Sequence, residues 1–284
     1  MRNAFNEMGR VVLAGSLYEV ERDWGDAPAD DLPTRISQVA VDRYGRLHVL
    51  RRGGIPVIVF AGDGRFLFRY GEGRLFDPHG VTIDHLDRVW IADRDAHQIL
   101  CFSSDGVWLS SLGERHVPHW RAPFNHPTKA AIAVDGEIYV ADGYGNARIH
   151  RFSAVGEHIG SFGEVGHGAG EFMTPHSIVA DRGGRLLVCD RENDRVQVFD
   201  RHGATLQIWG GLSRPMDILE QNDGTFLVAD QLPSLTRFAS NGQRLGRCRP
   251  SLNGAHGIAG DQLGNLYLAE TAPTSVTRLA LLPA

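Results

Sequence analysis

The sequence predicts an all-β protein, a six-bladed β-propeller whose ring is closed by an N-terminal strand in blade six. First, a strand–turn–strand unit recurs six times, at intervals of about 40 to 49 residues. Second, each copy continues into a third short apolar strand, and most copies continue into a fourth. Third, the chain shows no helical periodicity of any length. Four short strands in each repeat of this length are typical of a propeller blade.

The repeat unit is an apolar strand, a turn with Gly or Asp, and a second apolar strand that usually ends in an acidic residue. Its six copies are ISQVAVDRYGRLHVLR, HGVTIDHLDRVWIAD, TKAAIAVDGEIYVAD, HSIVADRGGRLLVCD, MDILEQNDGTFLVAD and HGIAGDQLGNLYLAE. Short apolar runs between such turns indicate antiparallel strands. An acid that recurs in nearly every blade favours a structural role in capping turns. These closing acids are Asp93, Asp142, Asp190, Asp230 and Glu270.

The repeat positions predict a single domain over residues 1–284. We place the blades at approximately 34–72, 76–113, 127–163, 173–210, 213–247 and 254–281. The sixth copy lacks a fourth strand, whereas the segment VVLAGSLYEV at 11–20 has strand character and no blade of its own. We expect this segment to supply the outer strand of blade six, because closure removes the exposed sheet edges that invite aggregation.

The composition is that of a soluble globular protein, with 42% hydrophobic and 22% charged residues. No apolar run is long enough to span a bilayer, and the first residues lack the apolar core of a secretory signal. A net charge of −5 without a Lys/Arg run argues against nucleic acid as a partner. The cysteines Cys101, Cys189 and Cys248 do not form a disulfide framework. We therefore expect a cytoplasmic protein with reduced thiols that binds neither membrane nor nucleic acid.

Three histidines occupy the same place in alternate copies of the repeat, each fourteen residues before its closing acid. They are His79, His176 and His256, and the intervening copies carry Ser37, Thr128 and Met216 in that place. In a closed ring of six blades, alternate copies approach the axis about 120° apart. Three neutral imidazoles suit zinc and leave a fourth position open, although other divalent transition metals accept the same ligands. The pattern predicts a tri-histidine metal site with an open coordination position.

Other polar residues are expected at the same end of the propeller as the histidines. Because strands one and two are antiparallel, the residues that follow strand two lie beside the start of strand one. These residues include Arg52, Arg94, Tyr144 and Arg191, and the linkers 113–127 and 163–175 emerge there as candidate lids. Arginines such as Arg52 and Arg191 can grip a carboxylate, and Tyr144 can transfer a proton. Arg94 is either surface charge or a substrate contact.

Residues 139–199 carry a more specific pattern than the repeat itself. DGYGNARIHRFSAVGEHIGSFGE, followed by GEFMTPHSIVADRGGRLLVCDRENDRVQVF, resembles the lyase domain of peptidylglycine α-amidating enzymes. That domain is a six-bladed propeller of NHL-type repeats. The specific part of the resemblance is the combination of PHG, DGY-N-RI, PHS and ADREN, and it extends more weakly over blades one, two and six.

The resemblance implies an activity and a set of site residues. In that family zinc is held by three histidines that match His79, His176 and His256, and the catalytic tyrosine and arginines match Tyr144, Arg52 and Arg191. The family cleaves peptidyl-α-hydroxyglycine into a peptide amide and glyoxylate. By resemblance we expect a metal-dependent lyase that cleaves the C–N bond of an N-acyl hemiaminal to an amide and an aldehyde such as glyoxylate. Its substrate would be a small molecule or a peptide C-terminus with a carboxylate.

The chain also departs from the family pattern, and two other functions stay open. Gly257 stands where the family has a calcium-binding aspartate, which argues against a structural calcium, and Gly145 replaces a disulfide cysteine of the animal enzymes. One alternative is a metal-hydroxide hydrolase of an amide, ester or lactone. The other is a non-enzymatic binding propeller without metal. The alternating histidines favour the enzymes, whereas the fold alone favours none of the three.

Overall fold

Six antiparallel sheets form the blades of a β-propeller, as the repeat predicts. The structure is a computed structural model, and it describes residues 9–28, 34–251, 253–272 and 274–283. Regular structure in these residues is nearly all β, with one short 3-10 helix at Arg191–Asn193. The described part of the chain contains no helix with the length and hydrophobicity that crossing a bilayer requires.

The first three blades each have four strands in simple up-and-down order. Blade one contains β3 (Arg35–Val41), β4 (Leu47–Arg52), β5 (Val57–Phe60) and β6 (Phe66–Tyr70). Blade two contains β7 (Pro78–Ile83), β8 (Arg88–Asp93), β9 (Gln98–Ser103) and β10 (Trp108–Leu112). Blade three contains β11 (Lys129–Ile132), β12 (Ile138–Asp142), β13 (Arg148–Phe152) and β14 (His158–Phe162).

Blades four and five repeat this order, and blade six combines both ends of the chain. A short parallel pair, β15 (Glu164–Val165) and β16 (Glu171–Phe172), precedes blade four. Blade four contains β17 (Pro175–Ala180), β18 (Leu186–Asp190), β19 (Arg195–Phe199) and β20 (Thr205–Trp209). Blade five contains β21 (Pro215–Glu220), β22 (Phe226–Asp230), β23 (Leu235–Phe238) and β24 (Arg244–Cys248). Blade six contains β25 (Ala255–Gly260), β26 (Leu266–Thr271), β27 (Thr274–Leu281), β2 (Ser16–Glu21) and β1 (Gly9–Leu13).

The N-terminal segment closes the ring, which confirms the predicted closure. Strand β2 pairs antiparallel with β27, but the segment forms two strands rather than one, since β1 folds back onto β2. Both turn residues, Ala14 and Gly15, have positive φ, the requirement of the tightest hairpin turn. Alanine is uncommon there, so the sequence lacks the usual Asn-Gly signal. The turn packs on blade five at Gly246, where an added Cβ would lie 2.8 Å from the Ala14 nitrogen.

The blades pack face to face through buried apolar side chains. Between blades three and four, for example, Tyr139 and Ile149 belong to the same buried cluster as Ile178 and Leu186. Burial of this kind stabilises the fold by roughly 25 cal/mol per Å² of apolar surface. The packing fixes the first strand of each blade beside the axis, so that residues at equivalent repeat positions face one another there.

Candidate metal centre

Each of the three histidines lies at a β-bulge near the start of the first strand of its blade. In blade two the pairing passes from Pro78↔Asp93 directly to Gly80↔Ala92, which leaves His79 without an opposite residue. The pairing skips His176 and His256 in the same way. A bulge bends the strand and re-aims a side chain. Blades one and five have the same bulge at residues that are not histidine. The bulge is therefore a feature of the repeat, and the three blades with histidine place an imidazole there.

The bulges bring the three imidazoles together on the axis. The centres of the rings are 4.8 Å apart for His79 and His176, 4.9 Å for His79 and His256, and 4.8 Å for His176 and His256. One ring nitrogen of each residue lies within 4.8 Å of the other two, and all three side chains are buried. The near-equal spacing follows from the threefold placement of alternate blades.

Each imidazole is held by the backbone of the next blade. Nδ1 of His79 is 2.9 Å from the carbonyl oxygen of Thr128. The corresponding distances are 2.7 Å from His176 to Met216 and 2.6 Å from His256 to Ser37. A carbonyl only accepts, so Nδ1 carries the proton in each ring and Nε2 keeps its lone pair. Hydrogen bonds of this kind orient histidines that bind metal ions through the other nitrogen.

The environment keeps the three rings neutral. Burial lowers the pKa of His256 to about 3. Burial is also the main cause that lowers the pKa of His79 and of His176 well below the ordinary histidine value, and the neighbouring imidazoles add to it. Neutral imidazoles are the form that binds metal ions.

The residues fit a divalent transition-metal ion. Nε2 of His176 is buried and has no hydrogen-bond partner within the described ranges. Such an atom costs free energy unless something satisfies it. Three imidazole lone pairs directed at one point match the ligand set of a zinc site with an open position. The same set accepts other divalent transition metals.

Tyr144 lies between the histidines and the solvent. Its hydroxyl is 3.2 Å from Nε2 of His79, and it accepts a hydrogen bond of 3.0 Å from a terminal nitrogen of Arg191. Because Nδ1 of His79 carries the ring proton, the Tyr144 hydroxyl donates to Nε2. The guanidinium carbons of Arg94 and Arg191 lie 5.5 and 5.3 Å from the centre of the tyrosine ring. Tyr144 is 38% exposed, so its phenol connects the buried imidazoles to the open end of the propeller.

A carboxylate that the sequence analysis did not single out links two arginines at this end. Asp77 forms an ion pair of 2.7 Å with Arg94, and Nε of Arg52 lies 3.7 Å from the other carboxylate oxygen of Asp77. Backbone N–H of Asp77 in turn donates to the closing acid Asp93 at 2.7 Å. This backbone hydrogen bond fixes Asp77, which is two residues before His79 in the chain.

The structure places Tyr144, Arg52 and Arg191 at the histidine end, where the sequence placed them. Arg94, which the sequence left between surface charge and a substrate contact, lies over the ring of Tyr144. The sequence position of Arg94 indicates this placement, because Arg94 follows the closing acid Asp93 just as Arg191 follows Asp190. Asp77 has no such signal, since it precedes the repeat unit.

The two long linkers are tied to the blades beneath them. The side chain of Asn146 donates to the carbonyl oxygens of His119 and Ala122 at 2.9 and 3.1 Å. It also accepts from the backbone of Arg121 at 2.9 Å. In the other linker, Arg195 donates to three backbone carbonyls, those of His167, Gly168 and Glu171. Asn146 belongs to the same turn as Tyr144, so its contacts hold the first linker beside Tyr144, whereas Arg195 holds the second linker on blade four.

Comparison with known proteins agrees with the repeat. The NHL repeat model matches residues 77–102, 124–152 and 172–199. NHL repeat-containing protein 3 of Homo sapiens is 32% identical over 242 residues, which cover 78% of this chain and 69% of that protein. A probable peptidyl-α-hydroxyglycine α-amidating lyase of Caenorhabditis elegans is 34% identical over 201 residues, which cover 69% of this chain and 54% of that protein.

The chain belongs to the NHL-repeat family and is similar to the amidating lyases. Another relative, peptidyl-α-hydroxyglycine α-amidating lyase 1 of Drosophila melanogaster, is 30% identical over 212 residues. The match covers 69% of this chain and 36% of that protein. The chain thus spans about half or less of the length of the two amidating lyases.

Solved structures share the fold of this family member at low identity. A streptogramin B lyase superposes with a TM-score of 0.69 at 13% identity, over 93% of this chain and 98% of that chain. A gluconolactonase from Xanthomonas campestris superposes with a TM-score of 0.68 at 16% identity, over 93% and 90% of the two chains. These similarities concern the fold alone, because propellers host unrelated activities.

Proposed function

We propose that this protein is a metal-dependent carbon–nitrogen lyase. Its substrate is an N-acyl hemiaminal, such as an α-hydroxyglycine derivative, and its products are an amide and an aldehyde such as glyoxylate. The observation that carries the proposal is the set of three convergent imidazoles with the Tyr144 hydroxyl 3.2 Å from one of them. Relatives named as amidating lyases support the reaction class.

The arginines at the open end select a substrate with a carboxylate, either a small molecule or a peptide C-terminus. Arg52 is the main candidate, because its side chain is only 15% exposed and its positive charge acts on all three imidazoles. Its Nε has no hydrogen bond within the part of the chain described. A guanidinium in this position can bind a carboxylate by donating two parallel hydrogen bonds to it.

The three imidazoles would hold zinc or another divalent transition ion. When bound, such an ion supplies Lewis-acid polarisation of a substrate hydroxyl. The ligand residues His79, His176 and His256 all belong to rigid first strands. Their carbonyl partners keep the rings oriented, so the site is preorganised by the fold.

Tyr144 carries the proton in the proposed reaction. The α-hydroxyl of the substrate loses its proton, the carbon–nitrogen bond breaks, and the departing amide nitrogen gains a proton. No water is consumed. If the imidazole lone pairs are used to bind an ion, the phenol still accepts a hydrogen bond from Arg191. It can then pass the proton from the substrate hydroxyl oxygen to the departing amide nitrogen. The positive charges of Arg191 and Arg94 beside the ring stabilise negative charge on the phenol oxygen during transfer.

Metal stoichiometry and product analysis test this proposal together. Wild type and His176→Ala are prepared identically, and metal content is measured by elemental mass spectrometry. We expect about one transition metal per wild-type chain and its loss in the variant. His119→Ala, a half-exposed histidine of the linker, is the matched control and should keep the metal. Wild type should then release amide and glyoxylate in equal amounts from an α-hydroxy-N-acylglycine.

Two outcomes would contradict the proposal. The first is a wild-type protein that binds no metal after reconstitution, which would favour a binding propeller. The second is a His176→Ala variant that keeps both metal and full activity. An acyl product released as a carboxylic acid with one oxygen from labelled water would instead identify a hydrolase, because lysis releases the acyl group as an amide without solvent oxygen.

A further inference from the structure

A buried ion pair crosses the axis of the propeller next to the imidazoles. Nζ of Lys129 lies 2.6 Å from a carboxylate oxygen of Asp217. Lys129 is in blade three and Asp217 in blade five, and these blades are not neighbours, so the contact must span the centre of the ring. The side chain of Asp217 is fully buried and that of Lys129 is 10% exposed. Burying two charges is costly unless their geometry and hydrogen bonds are good.

The other polar groups of this layer all converge on Asp217. One carboxylate oxygen accepts from Nε2 of Gln38 at 3.0 Å and from the backbone N–H of Ile258 at 2.9 Å. The other oxygen accepts from Oγ of Ser177 at 2.6 Å, in addition to Lys129. Asp217 therefore has four donors from four different blades, and among these four donors Lys129 carries the positive charge.

This layer lies one residue along the strands from the carbonyls that hold the imidazoles. Gln38, Lys129 and Asp217 directly follow Ser37, Thr128 and Met216, whose carbonyl oxygens accept from the three histidines. One residue of a strand advances about 3.3 Å. The ion pair thus forms the floor beneath the position where the imidazole lone pairs meet.

Two glycines make room for the floor. Gly80 and Gly257 directly follow His79 and His256. A Cβ on Gly80 would lie 2.2 Å from the carbonyl oxygen of Thr128, and a Cβ on Gly257 would lie 1.4 Å from Oε1 of Gln38. The chain therefore has no side chain where Lys129 and Gln38 reach across the axis.

On the far side of the floor the axis is an apolar channel. A cavity of about 230 Å³ is lined mainly by aliphatic residues of the first strands, with Lys129 among them. The polar floor lies between this channel and the imidazoles, whereas Tyr144 and the arginines lie on the other side of the imidazoles.

We propose that Lys129 and Asp217 are positioning residues that keep the layer beneath the metal centre electrically neutral. The inference rests on metal binding in the proposed function. Without Lys129, the Asp217 carboxylate would attract a divalent ion from below and offset part of its charge. Without Asp217, the ammonium would repel the ion. Both effects are strong in a layer from which water is excluded.

A double-mutant cycle on metal affinity tests the inference. Zinc affinity is measured by competition with a chelator for wild type, Lys129→Met, Asp217→Asn and the double variant, and the melting temperature of each metal-free protein is recorded. We expect Lys129→Met to bind zinc roughly tenfold more tightly and Asp217→Asn roughly tenfold more weakly, the order of effect of one nearby charge. The double variant should return to within about threefold of wild type.

A control separates charge from general stability. Arg185→Met removes a partner of the buried Asp181, an ion pair of 2.8 Å at the start of the second strand of blade four. This variant should lower the melting temperature and leave zinc affinity unchanged.

The inference is overturned if both single variants shift affinity in the same direction, or if neither shifts it. If Asp217→Asn does not fold, unchanged or weaker binding by Lys129→Met is sufficient to overturn it. If wild type itself binds no metal, the proposed function fails and this inference fails with it. If wild type binds metal but the two single variants do not shift zinc affinity in opposite directions, only this inference fails and the proposed function stands.

Discussion

The hydroxyl of Tyr144 lies 3.2 Å from Nε2 of His79, so the phenol and one candidate metal ligand form a single hydrogen-bonded unit. Arg191 completes that unit by donating to the same oxygen at 3.0 Å. The direction of these bonds follows from the carbonyl of Thr128, which keeps the proton of His79 on Nδ1. The backbone of blade three thus determines which way the phenol donates.

Replacing Tyr144 with phenylalanine should separate proton transfer from metal binding. The ring would stay between Arg94 and Arg191, and the imidazole lone pairs would stay available. We expect kcat for lysis to fall by roughly 10² to 10³, the usual contribution of a positioned proton carrier, with metal content unchanged. Tyr44→Phe is the control, because Tyr44 is an exposed tyrosine in a turn between the first two strands of blade one. Full activity of Tyr144→Phe would contradict the assigned role.

Replacing Arg52 with lysine should weaken substrate binding more than it slows the reaction. Lysine keeps the charge but cannot offer the paired N–H groups that match a carboxylate. We expect KM to rise by about tenfold or more, with a smaller change in kcat. A substrate whose carboxylate is replaced by a neutral amide serves as the control, since wild type and variant should process it alike. An equal loss on both substrates would show that Arg52 does not bind the carboxylate.

The regular spacing of the repeat was sufficient to predict the fold and the proximity of the three histidines. Six copies of one unit bring equivalent residues to the same height on the axis, whatever the details of packing. The N-terminal hairpin was missed because its turn, Ala14–Gly15, lacks the residues that usually mark one. Its outer strand depends instead on a tertiary contact with Gly246.

The ion pair of Lys129 and Asp217 was beyond the reach of the sequence for a different reason. The residues are 88 positions apart. Lys129 is the one polar residue of its strand, and the strand of Asp217 also contains Glu220. Nothing in either strand indicates that the other supplies the opposite charge. Only the arrangement of the blades in a ring brings the first strands of blades three and five together beside the axis. The ion pairs of Asp77 with Arg52 and Arg94 could not be predicted from the sequence either, because they depend on side-chain directions.

Adding a methyl group at Gly257 should disrupt the floor of the candidate metal centre. The new Cβ would overlap Oε1 of Gln38, at 1.4 Å. We expect Gly257→Ala to lose about 1–3 kcal/mol of unfolding free energy, as overpacked sites do. Gln38→Ala in the same protein should recover part of the loss, because it removes the clashing atom. Gly160→Ala is the control, since no other group lies within 4 Å of its Cβ position. Urea unfolding of the four proteins measures the differences, and equal stability of Gly257→Ala and wild type would refute the packing argument.

Glu137 should make the interface of blades three and four sensitive to acid. Hydrogen bonds from Arg151 are the main cause that lowers the pKa of Glu137 to about 2, from an ordinary value of 4.5. Arg201 of blade four adds an ion pair of 2.8 Å to the same carboxylate. A lowered pKa means that the ionised group stabilises the folded protein above pH 4.5, and that this stabilisation is lost as the pH falls toward 2.

Glu137→Gln should therefore melt below wild type at pH 7, by a few degrees at most, because a partly exposed ion pair of this kind contributes at most about 1 kcal/mol. The gap should narrow steadily as the pH falls from about 4.5 toward 2, because unfolded wild type then takes up a proton on Glu137 that the folded protein binds only near pH 2. Thermal melts across this range measure it, with the exposed Glu157→Gln as the control variant. A gap that stays constant or widens on acidification would show that Glu137 stabilises the interface through packing and not through its charge.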